Sequence, residues 1–301
     1  MTFPSTRRLR TLLIPWGISA LLGLTTCATA DLRSKALKEE GPTQARSQRG
    51  QQLLQQAAQT HGHQAWRQYQ TLEITLRDEW RGLLTKLGGR PWNKDQLLRF
   101  RFLNGSFNGR LDFVEGQRQG QAWGIQSWHT YVQKPGETDV TFKKHDKAAF
   151  FLPTYQYFYE FPFRILTAPI IAYLDQHQRN GRTYHRIFAT WGKPEAHREH
   201  DQYIVWIDTK THLIATVQYT VRDQFRFLKG AAHFHDRRPV GGVILPFSMT
   251  VTHFGASYQP GSKDFLHQAL VEKARYDAFP PALLSPDPDK PFIGDAKVVT
   301  P

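Results

Sequence analysis

The chain has 301 residues, a formal net charge of +13 at pH 7 and a single cysteine, and 40% of its residues are hydrophobic. This length suits one large domain or two small ones. With one cysteine there is no internal disulfide framework, so the fold must rest on a hydrophobic core. The positive charge favours anionic partners such as lipid headgroups, but it is spread along the chain. No nucleic-acid motif accompanies it, and we predict no nucleic-acid partner.

Residues 1–30 have the pattern of a secretory signal peptide. Three arginines, at positions 7, 8 and 10, precede an uncharged apolar stretch over residues 12–24. This stretch is shorter than the roughly 20 residues that span a bilayer. A cationic start, a short apolar core and a small-residue exit are typical of an export signal, so we predict a protein of the cell envelope.

Two processing sites compete at the end of this signal. Ala28-Thr29-Ala30 is an A-x-A cleavage site, whereas residues 24–27 resemble the lipobox of bacterial lipoproteins, in which the cysteine is lipidated. We predict lipidation of Cys27. The residue that follows is alanine and not aspartate, which by resemblance to proteobacterial lipoproteins favours the outer membrane. The alternative is a soluble periplasmic protein that is cleaved after Ala30.

The next elements are a tether and a helix. Residues 31–44 are polar and predict a flexible tether. Residues 45–60 place leucines and alanines on one helical face, and His61-Gly62 ends this amphipathic helix.

From residue 71 the apolar period changes to two, which indicates strands. Residues 97–103 and 106–114 alternate on either side of Asn104-Gly105, a strong hairpin signal. We predict further strands at residues 121–132, 140–143, 184–191, 201–208, 213–222, 225–235 and 243–252. Strands this regular, in meander order and apolar on one face, curl into a barrel or half-barrel.

Two segments depart from this alternation. Residues 148–172 are aromatic and contain three prolines, which suits a helical or loop lid better than a strand. Residues 281–301 are rich in proline and predict an extended tail.

Several short motifs resemble those of LolA and LolB, the bacterial carrier and acceptor of lipoproteins. They are the helix ending in His61-Gly62, the segment Tyr157–Arg164, the hairpin region 207–214 and the strand start 244–246. The resemblance covers residues 45–280 and implies one α+β domain that is mainly antiparallel β. In such a domain, a curved open half-barrel sheet has helices covering its concave face. In those carriers the cavity holds acyl chains.

The aromatic residues of this region are the main candidates for a ligand site, because ligand cavities are mostly apolar with few polar groups. The candidate cavity residues are Trp66, Trp80, Phe100, Phe102, Phe107, Phe113, Trp123, Phe158, Phe161, Phe163, Tyr219 and Phe247. An equally weighted alternative is that these side chains simply close into a core.

Covalent chemistry has little support in the sequence. There is no serine nucleophile elbow and no glycine-rich phosphate loop, so we predict no catalytic residue and no cofactor. His197 and His200, or His233 and His235, are the candidates for a metal-assisted enzyme, but they lack the spacing of zinc signatures.

We therefore predict a non-catalytic envelope lipoprotein that binds a lipid or another hydrophobic molecule. A lipid anchor would hold it at the membrane surface. The alternatives are the metal-assisted enzyme and a scaffold in an envelope complex with an unidentified protein partner.

Overall fold

A computed structural model describes residues 29–82, 90–222, 226–256, 258 and 261–290. Cys27 and nearly all of the predicted signal lie outside the described residues. No described helix has the length and apolar character needed to cross a membrane.

Five helices and thirteen strands make up the described fold. The helices are α1 (Lys35–Glu40), α2 (Gln44–Thr60), α3 (His63–Trp66), α4 (Asp146–Tyr159) and α5 (Phe161–Arg164). The strands are β1 (Thr71–Trp80), β2 (Asp95–Leu103), β3 (Gly109–Phe113), β4 (Ala122–Gln126), β5 (His129–Gln133), β6 (Thr141–Phe142), β7 (Ile170–Arg179), β8 (Arg182–Thr190), β9 (Gln202–Asp208), β10 (Ile214–Thr220), β11 (Lys229–Val240), β12 (Val243–His253) and β13 (His267–Tyr276).

All the strands belong to one antiparallel sheet, in the order β6-β5-β4-β3-β2-β1-β13-β12-β11-β10-β9-β8-β7. The sheet is a curved half-barrel that does not close, which confirms the predicted fold class. One face carries the main apolar cluster, and we call it the inner face.

The two free edges, β6 and β7, are consecutive in the chain, and the connection between them crosses the inner face. We call this connection, residues 146–167, the lid; it contains α4, α5 and a short 3₁₀ turn.

The hairpin predicted at Asn104-Gly105 joins β2 to β3, with the pairing ending at Phe102 and Gly109. The single strand predicted over 121–132 is wrong, because the chain reverses at Ser127 and Trp128. Their φ angles of 50° and 65° form a tight turn between β4 and β5.

Two strands escape sequence prediction. β7 begins within the aromatic segment assigned to the lid, and β13 has few apolar residues, so neither shows a clear period of two. The predicted extended tail instead begins with a 3₁₀ turn over Pro281–Leu284, and Leu284 is fully buried.

The predicted flexible tether is also wrong. Ser34 caps α1 by accepting a hydrogen bond from the backbone N–H of Leu37 (3.2 Å). Leu32 and Leu37 are buried in a second apolar cluster on the outer face of β7–β9, beside Trp206. Because the segment is mostly polar, its sequence did not predict that these two leucines are buried. Their burial fixes the segment to the sheet.

Helix α2 protects the free edge at β7. Gly50 lies so close to this strand that an added Cβ would be 2.8 Å from Ile171 Cγ2. Arg46 Nη1 donates to the carbonyls of Tyr173 (3.3 Å) and Leu174 (3.4 Å). The helix therefore occupies edge groups that would otherwise be open to pairing with another chain.

Candidate functional site

The inner face beneath the lid is the candidate site, and the structure places the predicted aromatic residues around it in three groups. The first group lies under α4 and comprises Trp80, Phe100, Phe102, Phe113 and Trp123. The second lies between the end of the lid and the C-terminal strands and comprises Phe158, Phe161, Tyr219 and Phe247. The third lies at the rim beside the β2–β3 turn and comprises Trp66, Phe107 and Phe163.

The first group is packed against the lid. Phe100 stacks on Tyr155 of α4 with 4.4 Å between ring centroids, and Trp80 stacks on His267 at 4.3 Å. Phe100 and Phe102 are fully buried. In this conformation the side chains predicted to contact a ligand contact the lid instead.

In the second and third groups the contacts also run between the lid and the rest of the fold. Phe158 of α4 lies 5.3 Å from Tyr219 of β10, edge to face. Trp66 of α3 stacks on Phe163 of α5 at 4.8 Å. The lid is therefore held by aromatic contacts along its whole length, and ligand binding by these residues stays a prediction.

A small cavity remains where the end of the lid meets β10, β11 and β12. Its volume is about 10 Å³, room for about one water molecule. Apolar side chains form most of its wall, together with His61, Tyr159 and Arg237. An acyl chain does not fit into this space unless the lid moves.

A buried carboxylate fixes α4 to the sheet. Asp78 Oδ2 accepts hydrogen bonds from the indole nitrogens of Trp80 and Trp92, both at 2.5 Å. Asp78 Oδ1 accepts from the Tyr155 hydroxyl (2.6 Å) and contacts His267 Nε2. Asp78 has no solvent exposure, so its four partners supply the hydrogen bonds that water would give. Burial is the main cause that raises the pKa of Tyr155, and the Asp78 carboxylate raises it further. Tyr155 therefore stays protonated and donates its hydroxyl hydrogen.

A second buried polar contact fixes α5 to the β2–β3 turn. Arg164 Nε donates to Glu160 Oε2 (2.7 Å), and Arg164 Nη2 donates to the Ser106 carbonyl (2.6 Å). The Arg164 guanidinium also lies over the Phe107 ring, 4.1 Å from its centroid. Burial raises the pKa of Glu160, and Arg164 opposes this rise. These contacts give the Glu and Arg of the segment Tyr157–Arg164 a structural role.

His61 ties the end of α2 to two strands. Its Nδ1 donates to the Ile244 carbonyl (3.2 Å), and its Nε2 accepts from the Ile214 N–H (3.1 Å), which requires the neutral Nδ1–H tautomer. Burial is the main cause that lowers the pKa of His61 to about 4; the nearby positive charge of Arg237 contributes to this shift, and the hydrogen bond to the Ile244 carbonyl opposes it. The sequence predicted that α2 ends at this residue. It did not predict that the buried His61 ring forms hydrogen bonds with the backbone of two strands.

Of the histidines considered for a metal, His233 has both ring nitrogens next to threonine hydroxyls, whereas His235 Nε2 is buried with no hydrogen-bond partner among the described residues. His233 Nδ1 lies 3.0 Å from the Thr216 hydroxyl, and its Nε2 lies 3.1 Å from the Thr252 hydroxyl. His197 and His200 contact each other edge to face at 5.0 Å. Within the described ranges, no group of three or more His, Cys, Asp or Glu side chains is placed to hold a metal ion.

Sequence reasoning did not identify Asp78 as a site residue. The missed signal is the position of Asp78 in β1: it follows Leu72, Ile74 and Leu76 in the series of residues that face inward. A charged residue in that series requires buried partners, and these come from strands and helices distant in sequence.

We expect Asp78→Asn to lower the free energy of unfolding by about 3 kcal/mol, because the neutral amide leaves buried donors without a charged acceptor. Urea unfolding checks this value. Asp146→Asn, an exposed carboxylate at the start of the same lid, is the matched control and should change it by less than about 1 kcal/mol. Equal effects of the two substitutions would contradict the role given to Asp78.

The pKa of His61 predicts a pH dependence of stability. The folded state holds this ring neutral down to about pH 4, whereas the ordinary pKa is 6.5. Its contribution to stability is complete above pH 6.5 and is lost as the pH falls from 6.5 towards 4, by about 1.4 kcal/mol per pH unit. Urea unfolding between pH 7 and pH 5 should show a shallower decline for His61→Gln. The exposed His129→Gln should retain the wild-type decline, and an unchanged slope in His61→Gln would disprove this assignment.

Comparison with protein-family models and with curated protein sequences finds no match. Solved structures do share the fold. A DUF1329 family protein from Desulfovibrio piger matches with a TM-score of 0.53 at 11% identity, over 79% of this chain and 97% of that chain. A LolA superfamily protein from Nitrosomonas europaea matches with a TM-score of 0.45 at 10% identity, over 78% of this chain and 96% of that chain. The structural neighbours thus include a LolA superfamily protein, and the match to the DUF1329 family protein shows a shared fold.

Proposed function

We propose that this protein is an exported envelope protein that binds a lipid or another hydrophobic ligand on the inner face of its half-barrel and performs no covalent chemistry. The observation that carries the proposal is the lid. It is one helical connection that covers an apolar and aromatic sheet face and is joined to both free edges of that sheet.

The energetics of the lid support exchange with a ligand. Its side chains on the inner face are mostly apolar, so the free energy that they gain scales with buried area, at about 25 cal/mol per Å². An acyl chain on the same face recovers a similar amount per unit area. Displacement of the lid by a ligand is therefore close to balanced, whereas separating paired strands would also break backbone hydrogen bonds.

The polar contacts of the lid set the cost of opening. Tyr155 contributes one hydrogen bond to Asp78, and Gln156 Nε2 donates to the Leu103 carbonyl (2.7 Å). A typical hydrogen bond contributes about 1 kcal/mol to stability. A few such contacts keep the lid closed when no ligand is present and still permit opening.

The packing of Ala30 supports processing upstream of this residue. Its N–H donates to the Arg226 carbonyl (2.9 Å), and its carbonyl accepts from Arg222 Nη2 (2.5 Å). Cleavage after Ala30 would remove both contacts, whereas cleavage before Cys27 would keep them. We infer that Cys27 is the lipidated first residue of the mature protein. Because Ala30 is fixed to the sheet, the anchor would hold the fold close to the membrane surface.

Ligand binding is tested on protein purified under mild conditions. We expect native mass spectrometry to show bound lipid, or the lipid-free protein to take up a fluorescent fatty acid. Tyr155→Phe should raise the rate of uptake several-fold, because it removes one hydrogen bond that holds the lid. Tyr184→Phe, on the outer face, should match wild type. A protein that carries no lipid and takes up no fatty acid would refute the proposal.

The anchor is tested by mass spectrometry of the mature N-terminus and by cell fractionation. We expect an acylated peptide beginning at Cys27, and loss of Cys27→Ser from the membrane fraction. An unmodified N-terminus at Asp31 would exclude the anchor and leave export intact.

A further inference from the structure

The sheet opens locally between β10 and β11. Pairing of these strands extends from Thr220 with Lys229 as far as Thr216 with His233. Beyond this point the backbone N–H and carbonyl of Ile214 form hydrogen bonds with side chains. His61 Nε2 accepts from its N–H (3.1 Å), and Arg237 Nη2 donates to its carbonyl (2.6 Å). The small cavity beneath the lid lies at this opening.

Arg237 follows a residue with a left-handed backbone conformation. Asp236 has a φ of 47°, which is uncommon for a residue other than glycine, and the β11–β12 register continues without a shift from His235 opposite Ser248 to Arg237 opposite Pro246. The Arg237 side chain extends into the gap, where it reaches the Ile214 carbonyl.

The guanidinium of Arg237 has unused binding capacity. Arg237 is half-buried, and its Nε is buried with no hydrogen-bond partner among the described residues. No described carboxylate forms an ion pair with it. Asp208 is near, but it accepts from the backbone N–H groups of Lys210 and Thr211 and pairs with Arg182 at 3.7 Å. A guanidinium removed from water in this way favours an anion that would satisfy its remaining donors.

The rest of the cavity wall is suited to an acyl chain. Phe158, Phe161 and Pro162 of the lid face Phe234 of β11 across it. Tyr159 also lines the cavity, and its hydroxyl has no hydrogen-bond partner within the described part of the chain. The wall therefore combines one cation with apolar surface and has no acidic residue.

We propose that Arg237 binds the headgroup of a single-chain lipid that carries one negative charge, a fatty-acid carboxylate being the smallest such group. The acyl chain passes beneath the lid between Phe158, Phe161 and Phe234. One guanidinium balances one negative charge, which selects against uncharged lipids. The present volume of about 10 Å³ requires the lid to shift, and several wall residues move with it. This inference rests on the proposed function and specifies its ligand class.

The test compares palmitic acid with hexadecanol, which has the same chain and no charge. Each displaces an uncharged fluorescent probe, N-phenyl-naphthylamine, from the purified mature protein. We expect wild type to bind the acid at least about tenfold more tightly than the alcohol, the ratio that about 1.4 kcal/mol gives. Arg237→Gln should lose this preference and retain its affinity for the alcohol, which also shows that the variant is folded.

Arg198→Gln, an exposed arginine in the loop before β9, is the matched control and should keep the wild-type preference. An unchanged ratio of acid to alcohol affinity in Arg237→Gln would overturn the headgroup site and leave lipid binding standing. If wild type binds neither the probe, the acid nor the alcohol, the proposed function fails together with the site.

Discussion

An open sheet with one apolar face must have that face covered from water, and in this protein the connection between the two free edges does so together with the apolar side of α2. β1 pairs with β13 in the middle of the sheet, so the free edges are β6 and β7. These edge strands are consecutive in the chain. The connection between them has to cross the whole width of the sheet, and its prolines and aromatic residues form helices that lie on the inner face. The cover is therefore a consequence of strand order.

The lid combines two kinds of contact with different consequences. Aromatic packing supplies most of its stabilisation but is not specific to the lid, since any apolar chain can replace it. The contacts of Asp78 and the Glu160–Arg164 pair are directional, and they determine where the helices lie. A cover held by replaceable apolar contacts and a few polar ones has the properties of a gate, and Arg237 lies beside the junction of its two helices, α4 and α5.

Much of the fold could be predicted because local chemistry agrees with the tertiary structure. Alternation in β1–β3, the Asn104-Gly105 hairpin and the end of α2 at His61 are all encoded within short windows. β13 could not be found, because its buried positions include His267 and the small Ala269, and a bulge between Val271 and Lys273 interrupts its alternation. The segment around Leu32 and Leu37 was taken for a tether for a similar reason: two leucines in a polar stretch become significant only beside the outer face of β7–β9.

The candidate site was predicted in composition but not in arrangement. Aromatic residues on alternating strand positions indicate an inner face, yet whether that face is open or covered depends on contacts distant in sequence, such as Tyr155 with Asp78. Arg237 was beyond prediction because the place of its side chain depends on the positive φ of Asp236 and on the end of the β10–β11 pairing. Neither feature has a sequence signal of its own.

Hydrogen exchange of the backbone amides, with and without saturating palmitic acid, tests most directly whether the lid is the moving part. If a ligand replaces the lid on the inner face, amides of residues 146–167 will exchange faster in the complex, while those of β1–β3 will remain protected. If palmitic acid binds and the exchange of the lid is unchanged, the ligand lies elsewhere and the lid is a fixed part of the core.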